Sequence, residues 1–398
     1  MRARLVLSLA LVSAADALYV ALTRPLVGVD AYGVGALVLL ATVESLAFIP
    51  AFAAASLSEV LGRRRVAALA IAAAPGVLAL PPRDLPAMLA GGALYSFSTA
   101  TLYNLVVAGT LEEREEALKS YAVAGFGMSL GWGLGSTAAW PLYYALGPSG
   151  AAAAVLALIA SAAALGVRGE GDGSAGAIEA MLHPLRTLGA LLPVAAAGSA
   201  LHTVGMSAYG VELDRALGSL LASETQGRML YGLFRGGLPV LLEAALRLRS
   251  SELVERFGGA RLLLASVWLS ALLYSLLPLL PAHAVVAAWF AVIAAFTLYD
   301  VALYALVAER VDGLEGAAVG ALSLASGAGN LAVAPLEGWL AVKAVYALVA
   351  VGLAAAATAP VVAETRRAAS ERLFAATLLA EREVEAVELA AGASATHG

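Results

Sequence analysis

The sequence predicts an all-α integral membrane protein of about twelve transmembrane helices, built as two related halves of six. Three observations carry that expectation. The 398-residue chain is 61% hydrophobic and 13% charged, with a mean hydropathy of +0.86, whereas soluble domains are about 45–50% apolar. Its apolar residues run in long blocks rich in Ala, Leu, Val and Gly, small enough to let helix backbones approach closely in lipid. Finally, several residue groups recur at one fixed offset along the chain.

A bilayer core about 30 Å thick needs roughly 17–25 apolar residues per helix. On that basis the spans fall at 5–23, 33–54, 65–80, 86–110, 120–146, 150–167, 188–210, 229–246, 261–280, 284–308, 317–340 and 344–363. The opening "MRARLVLSLALVSAADA" has the layout of a secretory signal. Its apolar run continues to Thr23, so it is read as a retained first helix. "PPRDLP" and "GPSG" are turns. The Gly-rich "GEGDGSAGAIEA" joins the halves, giving 1–168, a linker 169–187, a second half 188–363 and a tail 364–398 that carries an amphipathic helix. With the N-terminus inside, 18 of the 24 Lys and Arg lie on the cytoplasmic side. Arg24, Arg83, Arg215, Arg228 and Lys343 fall outside, and Arg235 falls within a helix. This bias sets both termini in the cytoplasm and suits a plasma-membrane protein.

The repeat is seen at an offset of 196 residues. Glu59 and Gly62 meet Glu255 and Gly258, and "TLYN" at Thr101–Asn104 meets "TLYD" at Thr297–Asp300. Glu113-Arg114 meet Glu309-Arg310, and Gly131 and Gly133 meet Gly327 and Gly329. Five matches in one order argue for two homologous halves. An even number of helices in each makes the halves parallel, related by an axis along the membrane normal.

With no cysteine and four scattered histidines, the chain offers no disulfide, no thiolate site and no metal-ligand spacing. No Gly-rich phosphate loop follows a strand pattern, and no basic-aromatic stretch suits nucleic acid. No cofactor is expected. The partners expected are lipid, a small-molecule substrate and protons, with the chain working as a monomer.

The residues also carry a family likeness. "ASLSEVLGRRR", with Leu57, Glu59, Gly62, Arg63 and Arg64, resembles the G-x-L-x-D-R-x-G-R-R loop between helices 2 and 3 of the major facilitator superfamily. Ala55 stands for its leading glycine and Glu59 for its acid. "SELVERFGGAR", with Glu255, Arg256 and Gly258, is a weaker second copy between helices 8 and 9. In helix 5, Gly127, Gly131 and Gly135 form one smooth face and resemble the antiporter glycine motif, with Trp132 at its proline position. Gly236-Gly237 is a candidate facing surface. The helix-4 arginine of many proton-coupled members is absent from "MLAGGALYS". The resemblance runs to about residue 363. It implies two six-helix bundles around a central cavity lined by helices 1, 4, 7 and 10, and a cytoplasmic ionic latch at the two loop motifs.

Ionisable residues inside spans mark pathways or pairs. Asp16 and Asp300 lie on cavity helices and are the proton-coupling candidates. A carboxyl there can keep a proton while desolvated and release it when water enters. Asp300 is the repeat equivalent of Asn104, so one half can titrate where the other cannot. Arg235 is expected to pair with Glu44, Glu243 or Glu337. Tyr95, Thr99, Tyr103 and Asn104 on helix 4, His202 and Met206 on helix 7, and Tyr299 and Tyr304 on helix 10 are candidates for the substrate surface. The reading is a secondary active transporter that works by alternating access. The short central loop, the helix-5 glycines and an apolar cavity point to proton-coupled efflux of small amphipathic compounds. Uptake of a sugar, organic anion or amino acid, by symport or uniport, stays open. No Ser/His/Asp or metal constellation suggests an enzyme, and no extramembrane domain is long enough for a stand-alone sensor.

Overall fold

A computed structural model describes residues 2–32, 34–79, 84–111, 117–167, 176–220, 224–311, 314–333 and 347–363. Among these every regular element is helical. Glu337, the Glu113-Arg114 arm of the repeat, linker residues 169–175 and the 364–398 tail lie outside the described residues.

The first half of the chain supplies α1 (Arg2–Pro25), α2 (Val34–Leu46), α3 (Phe48–Leu61), α4 (Arg63–Ala73), α5 (Leu85–Leu111) and α6 (Ala117–Gly166). Then come α7 (Ala177–Leu188), α8 (Leu191–Leu220), α9 (Glu224–Gly232), α10 (Pro239–Leu248) and α11 (Ser250–Phe257). The rest is α12 (Gly259–Leu276), α13 (Ala282–Ala308), α14 (Glu315–Val333) and α15 (Ala347–Ala363).

Seven helical stretches among the described residues are long and apolar enough to cross a membrane. The pair 178–188 and 191–206, bent by 79°, would make an eighth. The chain is thus a multi-pass membrane protein. One of the seven, Tyr121–Gly166, has 46 residues, far beyond what one crossing needs at 1.5 Å per residue. Gly147 breaks it with φ 68° and ψ 177°, a conformation that favours glycine. Pro148 follows, so α6 is two helices, 117–146 and 148–166.

Local chemistry explains the other breaks. Pro50 cannot donate a backbone hydrogen bond, and the helix is interrupted just before it, between α2 and α3. Pro239 has the same effect in the second half. There Leu233–Gly237 forms a π-type turn closed by Leu238 N donating to Leu233 O at 2.8 Å. Gly62 (φ 89°, ψ 137°) separates α3 from α4, and Gly258 (φ 77°, ψ 139°) separates α11 from α12. The two repeat-related glycines therefore adopt the same backbone conformation, one that a side chain would strain.

Glycines set the tightest helix pairs. A Cβ on Gly127, Gly131 or Gly135 would run into the backbone of Val6, Ala10 or Ala14 on α1. This face therefore packs on α1, and Gly236-Gly237 is not its partner. Gly232, Gly236 and Gly237 instead press on Ser136 and Thr137, on another side of α6. Gly316, Gly320 and Gly327 of α14 press on Glu59, Ala55 and Phe52, and Phe48 of α3. Contacts of α6 with α9 and α10, and of α3 with α14, thus join the first half of the chain to the second.

Candidate functional site

The most connected polar group in the interior centres on Arg247, which the sequence reading placed just outside helix 8. That helix continues through α10 and α11 past residue 246, so Arg247 lies inside the packed structure with 0% exposure. Its Nη1 donates to Asp300 Oδ2 at 2.7 Å, and its Nε donates to Glu243 Oε1 at 3.1 Å and Ser129 Oγ at 3.0 Å. Tyr121 OH donates to the same Asp300 oxygen at 2.8 Å and stacks on Tyr304 with ring centroids 4.4 Å apart. Tyr103 hydrogen-bonds with Tyr121 and Tyr304.

One helix face prepares this socket. Tyr121, Gly125 and Ser129 stand at i, i+4 and i+8 on α6. A Cβ on Gly125 would lie 2.9 Å from Arg247 Cδ and 3.0 Å from its Nη1. The glycine therefore makes room for the guanidinium, the tyrosine binds its counter-ion and the serine takes its Nε. The arginine and both acids come from the second half of the chain, and the socket comes from the first. A buried arginine flanked by two carboxylates satisfies the need of charges in low dielectric for partners. The spacing of Glu243 and Arg247 on one helix was the available sequence signal.

A second polar group lies near the ends of α1 and α2. Arg24 Nη2 pairs with Glu44 Oε2 at 2.5 Å, and Tyr19 OH donates to Glu44 Oε1 at 2.9 Å. Tyr95 is fully buried against Tyr19, with centroids 4.1 Å apart, so it packs the bundle; Thr99 is also buried, at 8% exposure. Of the three acids expected for Arg235, Glu337 lies outside the described residues, and the other two hold other cations. Glu44 is taken by Arg24 and Glu243 by Arg247, because each has a closer cation within reach. The Arg235 guanidinium sits over the Tyr231 ring at 5.6 Å. Its main-chain oxygen accepts from Trp289 Nε1 at 2.9 Å. Arg235 and Asp16 make no ion pair with one another.

The α8 candidates divide. His202 is buried at 3% exposure, with Nδ1 2.8 Å from Tyr274 OH and its ring against Phe296 and Tyr299. Tyr299 is buried beside Gly198, and Met206 is half-buried against the core. Ser199 and Thr203, which the sequence reading passed over, both donate to Asn330 Oδ1 of α14, at 3.0 and 2.7 Å. Asn104 is fully buried and accepts from Ser323 Oγ of α14 at 2.7 Å. Thr297, beside Asp300, donates to its own helix at Ile293 O.

At the α3–α4 junction, Glu59 Oε1 accepts the Gly316 N–H at 2.9 Å and lies 3.5 Å from Arg63 Nη2. Arg63 is buried and Leu57 half-buried, while Arg64 is exposed. The second copy makes no such contact among the described residues: Glu255 and Gly258 are exposed, and Arg256 lies over Phe257 at 5.3 Å. Surface grooves at Trp268, Ala355 and Thr358, and at Glu212, Arg215 and Leu280, share no residue with any of these groups.

No protein-family model and no curated protein sequence matches the chain. Solved structures do match. The human organic anion transporter MFSD10 (TETRAN) superposes with a TM-score of 0.66 at 17% identity, over 90% of this chain and 98% of that one. A variant of the nucleoside transporter NupG superposes with a TM-score of 0.67 at 14% identity, over 90% of this chain and 99% of that one. The chain therefore has the fold of these two transporters, over nearly its whole length and theirs.

Proposed function

We propose that the protein is a secondary active transporter of the major facilitator type. It would have twelve spans in two six-helix bundles, 1–168 and 188–363, with both termini in the cytoplasm. The bundles rock about a central site and expose it alternately, coupling the efflux of small amphipathic compounds to protons. The observation that carries the reading is the Arg247 socket, where charged residues of the second half are held by a helix of the first. The full-length likeness in fold to two transporters supports it.

In this reading Asp300 exchanges a proton against its bonds to Arg247 and Tyr121. Protonation removes the charge that holds both, and the grip between the halves at that level weakens. The Glu59 contact with α14 acts at the α3–α4 junction as the latch between the halves.

Two expected results follow. In proteoliposomes with an imposed proton gradient, Asp300→Asn abolishes gradient-driven flux while gradient-independent exchange persists. Driven flux at the wild-type rate would refute Asp300 as the coupling group. Glu59→Ala removes the acceptor for the Gly316 N–H and the partner of Arg63, whereas Glu59→Gln keeps an acceptor and loses only the charge. Cysteine labelling at the α3–α4 end is therefore expected to quicken severalfold in the alanine variant and less in the glutamine variant. Equal, unchanged rates would refute the latch.

A further inference from the structure

Asp16 and Arg235 are the charged pair that the socket and the latch leave unused. Contacts along α6 put them at one level. Gly135 of α6 packs on Ala14, two residues before Asp16, while the next residue, Ser136, packs on Gly232 and Gly236, which bracket Arg235. That level lies within the spans Ala3–Pro25 and Thr225–Leu248, away from their ends. Asp16 comes from the first half of the chain and Arg235 from the second. Both are half-buried.

Among the described residues neither charge is neutralised by contact. Glu44, the nearby second acid, is held by Arg24 and Tyr19. Asp16 has no hydrogen-bond or ion-pair partner among the described residues, and the Arg235 guanidinium has the Tyr231 ring alone. They make no hydrogen bond or ion pair with one another. Two opposite charges held apart inside a membrane protein are costly unless something answers each of them. The four groups Asp16, Glu44, Arg24 and Arg235 sum to zero charge. A solute with net charge would leave one pole unanswered, whereas one carrying both signs answers both and keeps the sum at zero. Tyr231 beside Arg235, and Trp132 against Gly236, supply apolar surface at the same level.

We propose that Asp16 and Arg235 are the two poles of a binding site for a small zwitterion that bears an ammonium and a carboxylate on an apolar body. Asp16 takes the ammonium and Arg235 the carboxylate. The π-type turn at Leu233–Gly237 sets the arginine at this level, as such turns often do at functional positions. The proposal rests on the transport reading and names the substrate class of that central site. A pair placed within the spans, not at a mouth, suits a substrate site better than a gate.

The test is equilibrium binding to purified full-length protein in lipid nanodiscs. The probes are L-leucine and L-phenylalanine, each compared with its amine (isoamylamine, phenethylamine) and its acid (4-methylpentanoate, 3-phenylpropanoate). At least one zwitterion should bind tenfold or more tightly than both of its single-charge counterparts. Asp16→Asn should erase that advantage while retaining the acid, and Arg235→Gln should erase it while retaining the amine. These opposite residual preferences separate a binding role from misfolding.

Zwitterions that bind no better than their counterparts would overturn the proposal. So would rapid disulfide formation between Asp16→Cys and Arg235→Cys that neither zwitterion slows, because the pair would then close on itself as a gate. The chain has no cysteine of its own, so that measurement has no background. Selective binding without any flux in proteoliposomes would refute transport alone. Flux without zwitterion selectivity would refute this inference alone.

Discussion

Replacing Arg247 with methionine is expected to destabilise the protein by about 3–5 kcal/mol and to abolish transport. The methionine fills much of the arginine's volume, so the loss is mainly electrostatic. It strands Asp300 and Glu243 beside an apolar side chain, and breaking a buried pair by removing one partner costs about that much. Ser129 Oγ loses its donor, and Tyr121 is left to hold the Asp300 carboxylate alone. The measurement is the midpoint of thermal unfolding in detergent, followed by aggregation-sensitive chromatography. Adding Asp300→Asn to Arg247→Met should restore part of the loss, because the second change removes one of the stranded charges. Such non-additivity is the signature of direct coupling. Purely additive losses would mean that the two side chains stabilise the fold separately and that the socket is not a unit.

Gly131→Val should be still more damaging, for a steric reason. A Cβ at this position runs into the carbonyl and Cα of Ala10, and backbone cannot yield as a flexible side chain does. Overpacking of this kind costs about 1–3 kcal/mol where neighbours can shift. Here the whole of α1 would have to move off α6, so the expected outcome is failure to accumulate as folded protein. Gly352→Val is the matched control, since no described residue lies within 4 Å of the position its Cβ would take. Wild-type yield and melting of the Gly131→Val protein would show that α1 and α6 are not held in this register.

The likeness in fold at 14–17% identity agrees with the way the sequence could be read. Hydropathy and small residues dictate membrane helices, but many different apolar residues satisfy them equally. The Gly62 and Gly258 turns were legible because a left-handed backbone restricts the choice of residue. The glycine face of α6 was legible as a close contact, but its partner was not: periodicity says which residues share a face and says nothing of what meets it. Arg235 shows the same limit. Its interior position was plain from hydropathy, whereas its neighbour depended on which acids other cations had already engaged. Arg247 escaped notice because an apolar window ends a helix where hydropathy falls, while α10 and α11 continue as an amphipathic stretch packed against protein.

By itself, then, the sequence determined that this is a helical membrane protein, where several of its helices turn, and some of the charges that lie within them. These follow from hydrophobicity, backbone restriction and the cost of burying charge, all properties of residues and short windows. Only the tertiary structure decided who meets whom: Arg247 with Asp300 in the socket of Tyr121, Gly125 and Ser129, Glu59 with Gly316, and Asp16 level with Arg235 but apart from it. Pairing between distant segments is decided by helix packing at particular levels, and a one-dimensional pattern of apolar and polar residues carries no record of depth or facing partner.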